Sequence, residues 1–175
     1  GMGTGGRAAI DGAMTTGIIS QLSKAGLGFN SALKIVNSAL LVKSGEESLA
    51  TLDITCVDMF SGKTEFLKAG ASSTYVKKKN RVLKINTPSL PVGILTNVEF
   101  STSEVILNEG DWILMVSDGA IANGDKWIES EFIEYNGDST EDFANHIVDM
   151  AVKNKADAHD DDITAVALRV FAETK

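Results

Sequence analysis

The chain has 175 residues, 43% hydrophobic and 23% charged, with a formal net charge of −8. That length suits one globular domain with a sizeable core, and the acidic excess argues against nucleic acid or an anionic membrane surface as partner. A single cysteine, Cys56, rules out a disulfide framework within the chain and indicates a reducing, cytoplasmic setting, while no window approaches the ~18 apolar residues of a membrane span and no signal-peptide pattern opens the chain.

Gly1 to Gly6 is glycine-rich. It reads either as a phosphate-cradling loop or as a flexible end; the Lys-Ser/Thr ending of a P-loop is missing and no apolar strand precedes it. Ala8 to Ala25 predicts a helix, with Ile10, Met14, Ile18 and Leu22 lining one face. Gly12 and Gly17 weaken it by ~1 kcal/mol each against alanine. Gly26-Leu27-Gly28 stops it. Asn30 or Ser31 caps a second helix through Lys43, whose apolar side is Leu33, Val36, Leu40 and Leu41. The short connection makes the two an antiparallel pair laid on a sheet.

From Leu49 the period changes to two. Leu49 to Phe60 predicts a long strand that includes Asp53, Cys56 and Asp58, with Cys56 as a small core residue. Ser61-Gly62-Lys63 turns the chain into a return strand, Thr64 to Ala69. Tyr75 to Lys79 and Val82 to Ile85 form a second hairpin, and Lys77-Lys78-Lys79 reads as a solvated edge that discourages pairing. Leu90 to Ile94 tucks back, and Val98 to Leu107 alternates as a half-exposed strand. Trp112 to Val116 is continuously apolar, the pattern of a strand buried on both faces. Ile121 to Gly124 reads as a mobile segment, followed by a short helix near Lys126 to Tyr135. A better helix spans Thr140 to Lys155, capped by Ser139 and buried through Phe143, Ile147, Met150 and Ala151. Ile163 to Phe171 is the last strand. Helix pair, meander, helix pair and strand make an α+β domain with antiparallel sheets, one domain over residues 1–175.

Two places carry chemistry. Ser117-Asp118-Gly119-Ala120 follows the central strand, and Asp160-Asp161-Asp162 leads into the last one. Asp118-Gly119 by itself reads as a plain turn. If the two strands are neighbours, Asp118 and Asp161 converge, and hard oxygen ligands of this kind favour Mg²⁺ or Mn²⁺ over zinc. His159 beside the acidic run is either a general acid or a solvated loop residue, and His146 lies on a helix. The acidic run also admits a calcium loop, although the spacing is not that of an EF-hand. No G-x-S-x-G elbow is present.

Three short motifs then stand in order. Gly1-Met2-Gly3-Thr4-Gly5 resembles the tail of D-G-M-G-x-G, Ser117-Asp118-Gly119 the S/T-D-G motif, and Asp161-Asp162-Ile163-Thr164 the D-D-[MI]-T motif of the metal-dependent protein serine/threonine phosphatases. Within that family, Val36 to Ser44, Ala50 to Asp53, Phe66 to Gly70 and Leu90 to Ile94 resemble the phosphatase domain of the stage II sporulation protein E branch. The resemblance runs from the first residue to about Val170. It implies an antiparallel β-sandwich flanked by helix pairs, with a centre of two Mn²⁺ or Mg²⁺ ions at one end. The implied reaction is in-line attack of water on a phosphoserine of a small anti-anti-sigma factor, in sporulation sigma-factor control. Asp118 and Asp161 match metal-binding aspartates, and Gly1 matches the glycine whose carbonyl binds metal. The helices from Ala8 to Lys43 match elements thought to switch activity.

The resemblance also implies a departure. The aspartate that precedes the first motif's glycine in the family, and the strands before it, are not in this sequence, so an N-terminally truncated domain is expected. Such a chain would bind metal poorly, leaving a phosphatase-like regulatory or protein-binding module as the alternative function. A sheet edge left open would pair with a second copy, giving a homodimer. The parent protein would be membrane-associated, with no membrane contact by this chain.

Overall fold

The computed structural model describes residues 1–2, 5–42, 48–79, 81–96, 98–154 and 161–172. They fall into two compact units: Gly1–Cys56 with Glu65–Ala71 and Thr87–Glu104, and Val57–Thr64 with Ser72–Asn86 and Val105–Lys175.

The first unit is built on two helices, α1 (Gly5–Lys24) and α2 (Phe29–Val42), and a three-stranded sheet in the order β1 (Leu52–Val57), β2 (Lys63–Ala69), β5 (Thr102–Ile106). Helix α2 buries Leu33, Val36 and Leu40, as its periodicity predicts, together with Ala32 and Asn37. They pack with Ala50, Leu67, Ala69, Val92 and Phe100 into one apolar core. Helix α1 departs from the expected stripe. Its buried residues are Asp11 and Thr15, Met14 and Ile18 are partly buried against the core, and Ile10 is 60% exposed. The inward face is rotated from the one that aliphatic spacing marks, because two polar side chains belong to it. Leu90 to Ile94 does tuck back: Ala50 and Val92 exchange main-chain hydrogen bonds of 3.1 and 2.9 Å. The Asn37 side chain holds that loop, donating to the Leu95 carbonyl and accepting from the Gly93 amide, both at 2.8 Å. Lys68 is fully buried, and its Nζ pairs with Asp53 Oδ2 at 2.6 Å.

Strand β1 is shorter than the expected Leu49 to Phe60. Asp58 ends it by accepting hydrogen bonds from the Phe60 and Ser61 amides at 2.8 and 3.2 Å, an Asx turn that competes with the ladder. Cys56 on β1 is half-buried rather than a core residue.

The second unit centres on a four-stranded antiparallel sheet, ordered β4 (Arg81–Ile85), β3 (Thr74–Lys78), β6 (Trp112–Val116), β7 (Ala165–Arg169). The apolar run of β6 lies inside this sheet, between β3 and β7. Strand β3 is also an inner strand, so the lysine run is not a solvated edge. Lys77 donates to the Tyr135 carbonyl at 2.8 Å, Lys78 donates to the Ile106 carbonyl at 2.5 Å, and only Lys79 is exposed. Helices α3 (Lys126–Glu134) and α4 (Thr140–Lys153) cover the sheet. Phe132 and Phe143 stack at 4.7 Å beside Trp112 and Tyr135, within a core shared with Tyr75, Leu114, Ile128 and Ile147. The Ser139 hydroxyl accepts from the Asp142 amide at 3.1 Å and caps α4, as read from the sequence.

Candidate metal site at the end of the central strand

Strands β6 and β7 are neighbours, and their register pairs Val116 with Ala165. The exit of β6 and the entry of β7 therefore lie at the same end of the sheet. The ladder continues one step beyond the strands, because the Ser117 amide donates to the Thr164 carbonyl at 3.0 Å. The Ser117 hydroxyl then bridges the facing loop. It donates to the Asp162 carbonyl at 3.0 Å and accepts from the Thr164 amide at 2.9 Å.

Beyond Ser117 the chain enters a 3₁₀ turn, Asp118–Ile121. Gly119 in this turn lies against the main chain of the β7 lead-in. A Cβ placed there would stand 2.6 Å from the Asp162 carbonyl oxygen and 3.3 Å from that of Asp161. The missing side chain at 119 is what permits the approach. Asp118, Asp161 and Asp162 are all exposed. One Asp161 oxygen, Oδ1, accepts from the Asp162 amide at 3.0 Å. Among the described residues Asp118 has no hydrogen-bond or ion-pair partner, and it is exposed.

Asp118 and Asp161 thus stand on neighbouring segments at the same end of the β6–β7 pair. Gly1 belongs to the first unit, where the Met2 amide donates to the Leu49 carbonyl at 2.8 Å. Asp160 and His159 lie outside the described residues. His146 is committed to structure: its Nε2 lies 2.6 Å from Glu131 Oε2, linking α4 to α3.

The donor set at the sheet end is made of oxygen alone, which suits a hard divalent cation such as Mg²⁺ or Mn²⁺. Exposed carboxylates leave room for the waters that such ions retain. Among the described residues no group of three or more His, Cys, Asp and Glu side chains is placed to hold a metal.

Sequence reading missed two features that fix this site. The first is the Ser117 bridge. The second anchors the far end of the segment that starts at Asp118. Tyr75 is fully buried, and its hydroxyl donates to Asp125 Oδ2 at 2.7 Å. Lys84 pairs with the same oxygen. Lys84 and then Tyr75 hold the Asp125 carboxyl below the usual carboxylate range. Burial, followed by the hydrogen bond to Asp125, pushes the Tyr75 phenol well above its ordinary value, so it remains a donor. A tyrosine at a predicted strand position is the one available signal, since a buried hydroxyl needs a partner.

The family model for stage II sporulation protein E (SpoIIE) matches residues 1–171. Stage II sporulation protein E of Bacillus subtilis (strain 168) is 26% identical over 180 residues, covering 99% of this chain and 22% of that protein. The Priestia megaterium protein of the same name is 27% identical, covering 99% of this chain and 31% of its own length. The solved PP2C phosphatase domain of Bacillus subtilis SpoIIE, with a fragment of its regulatory domain, superposes with a TM-score of 0.85 at 26% identity, covering 97% of this chain and 52% of that one. The chain therefore spans less than a third of the curated relatives it matches. With nearly its whole length under one family model and a PP2C phosphatase fold, the chain belongs to the stage II sporulation protein E family.

Proposed function

We propose that this chain is the phosphatase domain of a sporulation protein serine phosphatase that uses Mn²⁺ or Mg²⁺ and acts on a phosphorylated anti-anti-sigma factor. The observation that carries the reading is the joining of the Ser117-Asp118-Gly119 and Asp161-Asp162-Ile163-Thr164 segments at one end of the β6–β7 pair. Asp118 and Asp161 are the residues that would hold the cation. A divalent ion bound there supplies Lewis-acid charge neutralisation and a more acidic water. The chain's own part is to present two carboxylates from a rigid sheet end, in the open, where a phosphoserine on a protein surface can reach them. Self-association belongs to the same reading: β7 ends its sheet, and Val166 and Leu168 on it are 47% and 44% exposed.

One observation favours a second reading, a phosphatase-like module that binds a partner without turnover. Among the described residues no group of three or more His, Cys, Asp and Glu side chains could hold a metal ion. Hydrolysis of p-nitrophenyl phosphate and of a phosphoserine protein, with Mn²⁺ and with chelator, separates the two. It is to be run on this chain and on the chain carrying whatever residues its gene encodes ahead of Gly1. Mn²⁺-dependent release of phosphate in either form supports the enzyme. No release from either at millimolar Mn²⁺ supports the module.

A further inference from the structure

We propose that Ser117 is a positioning residue for the cation site, acting through its hydroxyl; this rests on the metal-dependent reading of Asp118 and Asp161. The hydroxyl is used in both senses. It donates to the Asp162 carbonyl at 3.0 Å and accepts from the Thr164 amide at 2.9 Å, while the Ser117 amide donates to the Thr164 carbonyl at 3.0 Å. Three hydrogen bonds thus run from the residue before Asp118 to residues next to and three beyond Asp161.

Each carboxylate is attached one residue from this clamp. Neither is held by a side chain of the opposite loop, since Asp118 has no partner among the described residues and Asp161 Oδ1 accepts only the amide that follows it. Their spacing is therefore set by the main chains that carry them, and Ser117 joins those main chains. Gly119 sets how closely the two loops can approach, whereas Ser117 sets the register in which they do so. Alanine at 117 would keep the one main-chain bond and lose both side-chain bonds, leaving the Asp162 carbonyl and Thr164 amide to water. Threonine has the same hydroxyl. Its branched carbon suits the extended backbone here, with φ −74° and ψ 165° at Ser117.

Only cation sites whose ligands come from both loops should feel this clamp. Ser117 is partly exposed and both of its side-chain hydrogen bonds lie at the surface, so S117A should leave global stability in chelator close to that of wild type. Metal affinity should fall by about tenfold or more, the size seen when a residue that orients a metal ligand is removed. The test is Mn²⁺ titration of the full gene-encoded protein, with free Mn²⁺ counted by electron paramagnetic resonance, for wild type, S117A and S117T. Thermal unfolding in chelator is measured alongside. Weakening in S117A with affinity in S117T within about threefold of wild type supports the proposal. Equal affinity in wild type and S117A overturns it while leaving the metal reading intact. Weakening in S117A matched by an equal loss of chelator-state stability, with no rescue by S117T, also overturns it, since the effect is then structural. Wild-type protein that takes up no Mn²⁺ overturns the metal reading and the positioning role together.

Discussion

At the residue scale the account turns on two contacts that a small side chain makes or permits. Replacing Gly119 with alanine puts a methyl group 2.6 Å from the Asp162 carbonyl oxygen, which the loops can relieve only by separating. We expect a loss of about 1–3 kcal/mol in denaturant unfolding, typical of overpacking, together with weaker Mn²⁺ binding in titration. The Tyr75–Asp125–Lys84 cluster gives a pH prediction. Lys84 and Tyr75 depress the Asp125 pKa in the folded chain. The stability this confers is present above the unfolded carboxyl value of about 3.9 and is lost as pH falls through the lower folded value. Wild type should therefore exceed Asp125→Asn in stability at neutral pH, and in acid-denaturation curves the two should converge only once pH has fallen below the depressed folded value. The carboxylates of the candidate site could be read from the sequence because Asp118 follows an apolar strand and Asp161 leads into the last one. The Tyr75–Asp125 bond could not, because its partners are 50 residues apart and meet only once β3 and α3 are in place.

At the scale of elements, periodicity found nearly every helix and strand, and it failed where burial is polar or neighbours are unknown. The α4 stripe of Phe143, Ile147 and Ala151 is apolar and was legible. Phe143→Ala should cost about 3–5 kcal/mol and Ser139→Ala about 1 kcal/mol in thermal or chemical unfolding, since one empties an aromatic cluster and the other removes a cap. Neither should change the metal requirement of any residual activity. The inward face of α1 was misread because Asp11 and Thr15 lie on it, and hydrophobic spacing cannot mark a buried carboxylate. The lysines of β3 were misread for a different reason. A strand's sequence shows which way side chains alternate, but not whether another strand lies beyond it. Here β4 and β6 flank β3, and the ammonium groups of Lys77 and Lys78 end on carbonyls.

At the scale of the whole molecule, each of the two units has its own apolar core, and the Asp118–Asp161 pair lies within the second. The mixed α and β class, the antiparallel pairing in the second unit and the order of elements agree with the sequence reading. Strand order, the Ser117 bridge and the Asp125 anchor required the folded chain, because each depends on residues brought together from distant parts of the sequence. Cation-dependent phosphatase chemistry is the claim on which the rest depends. Its most direct test is phosphate release from a phosphoserine protein by the gene-encoded chain, titrated with Mn²⁺, for wild type, Asp118→Asn and Asp161→Asn. The account predicts Mn²⁺-dependent turnover in wild type, a fall of at least about 100-fold in each variant, and melting temperatures near wild type in chelator because both side chains are exposed. Turnover that survives in either variant at the same Mn²⁺ concentration would contradict it.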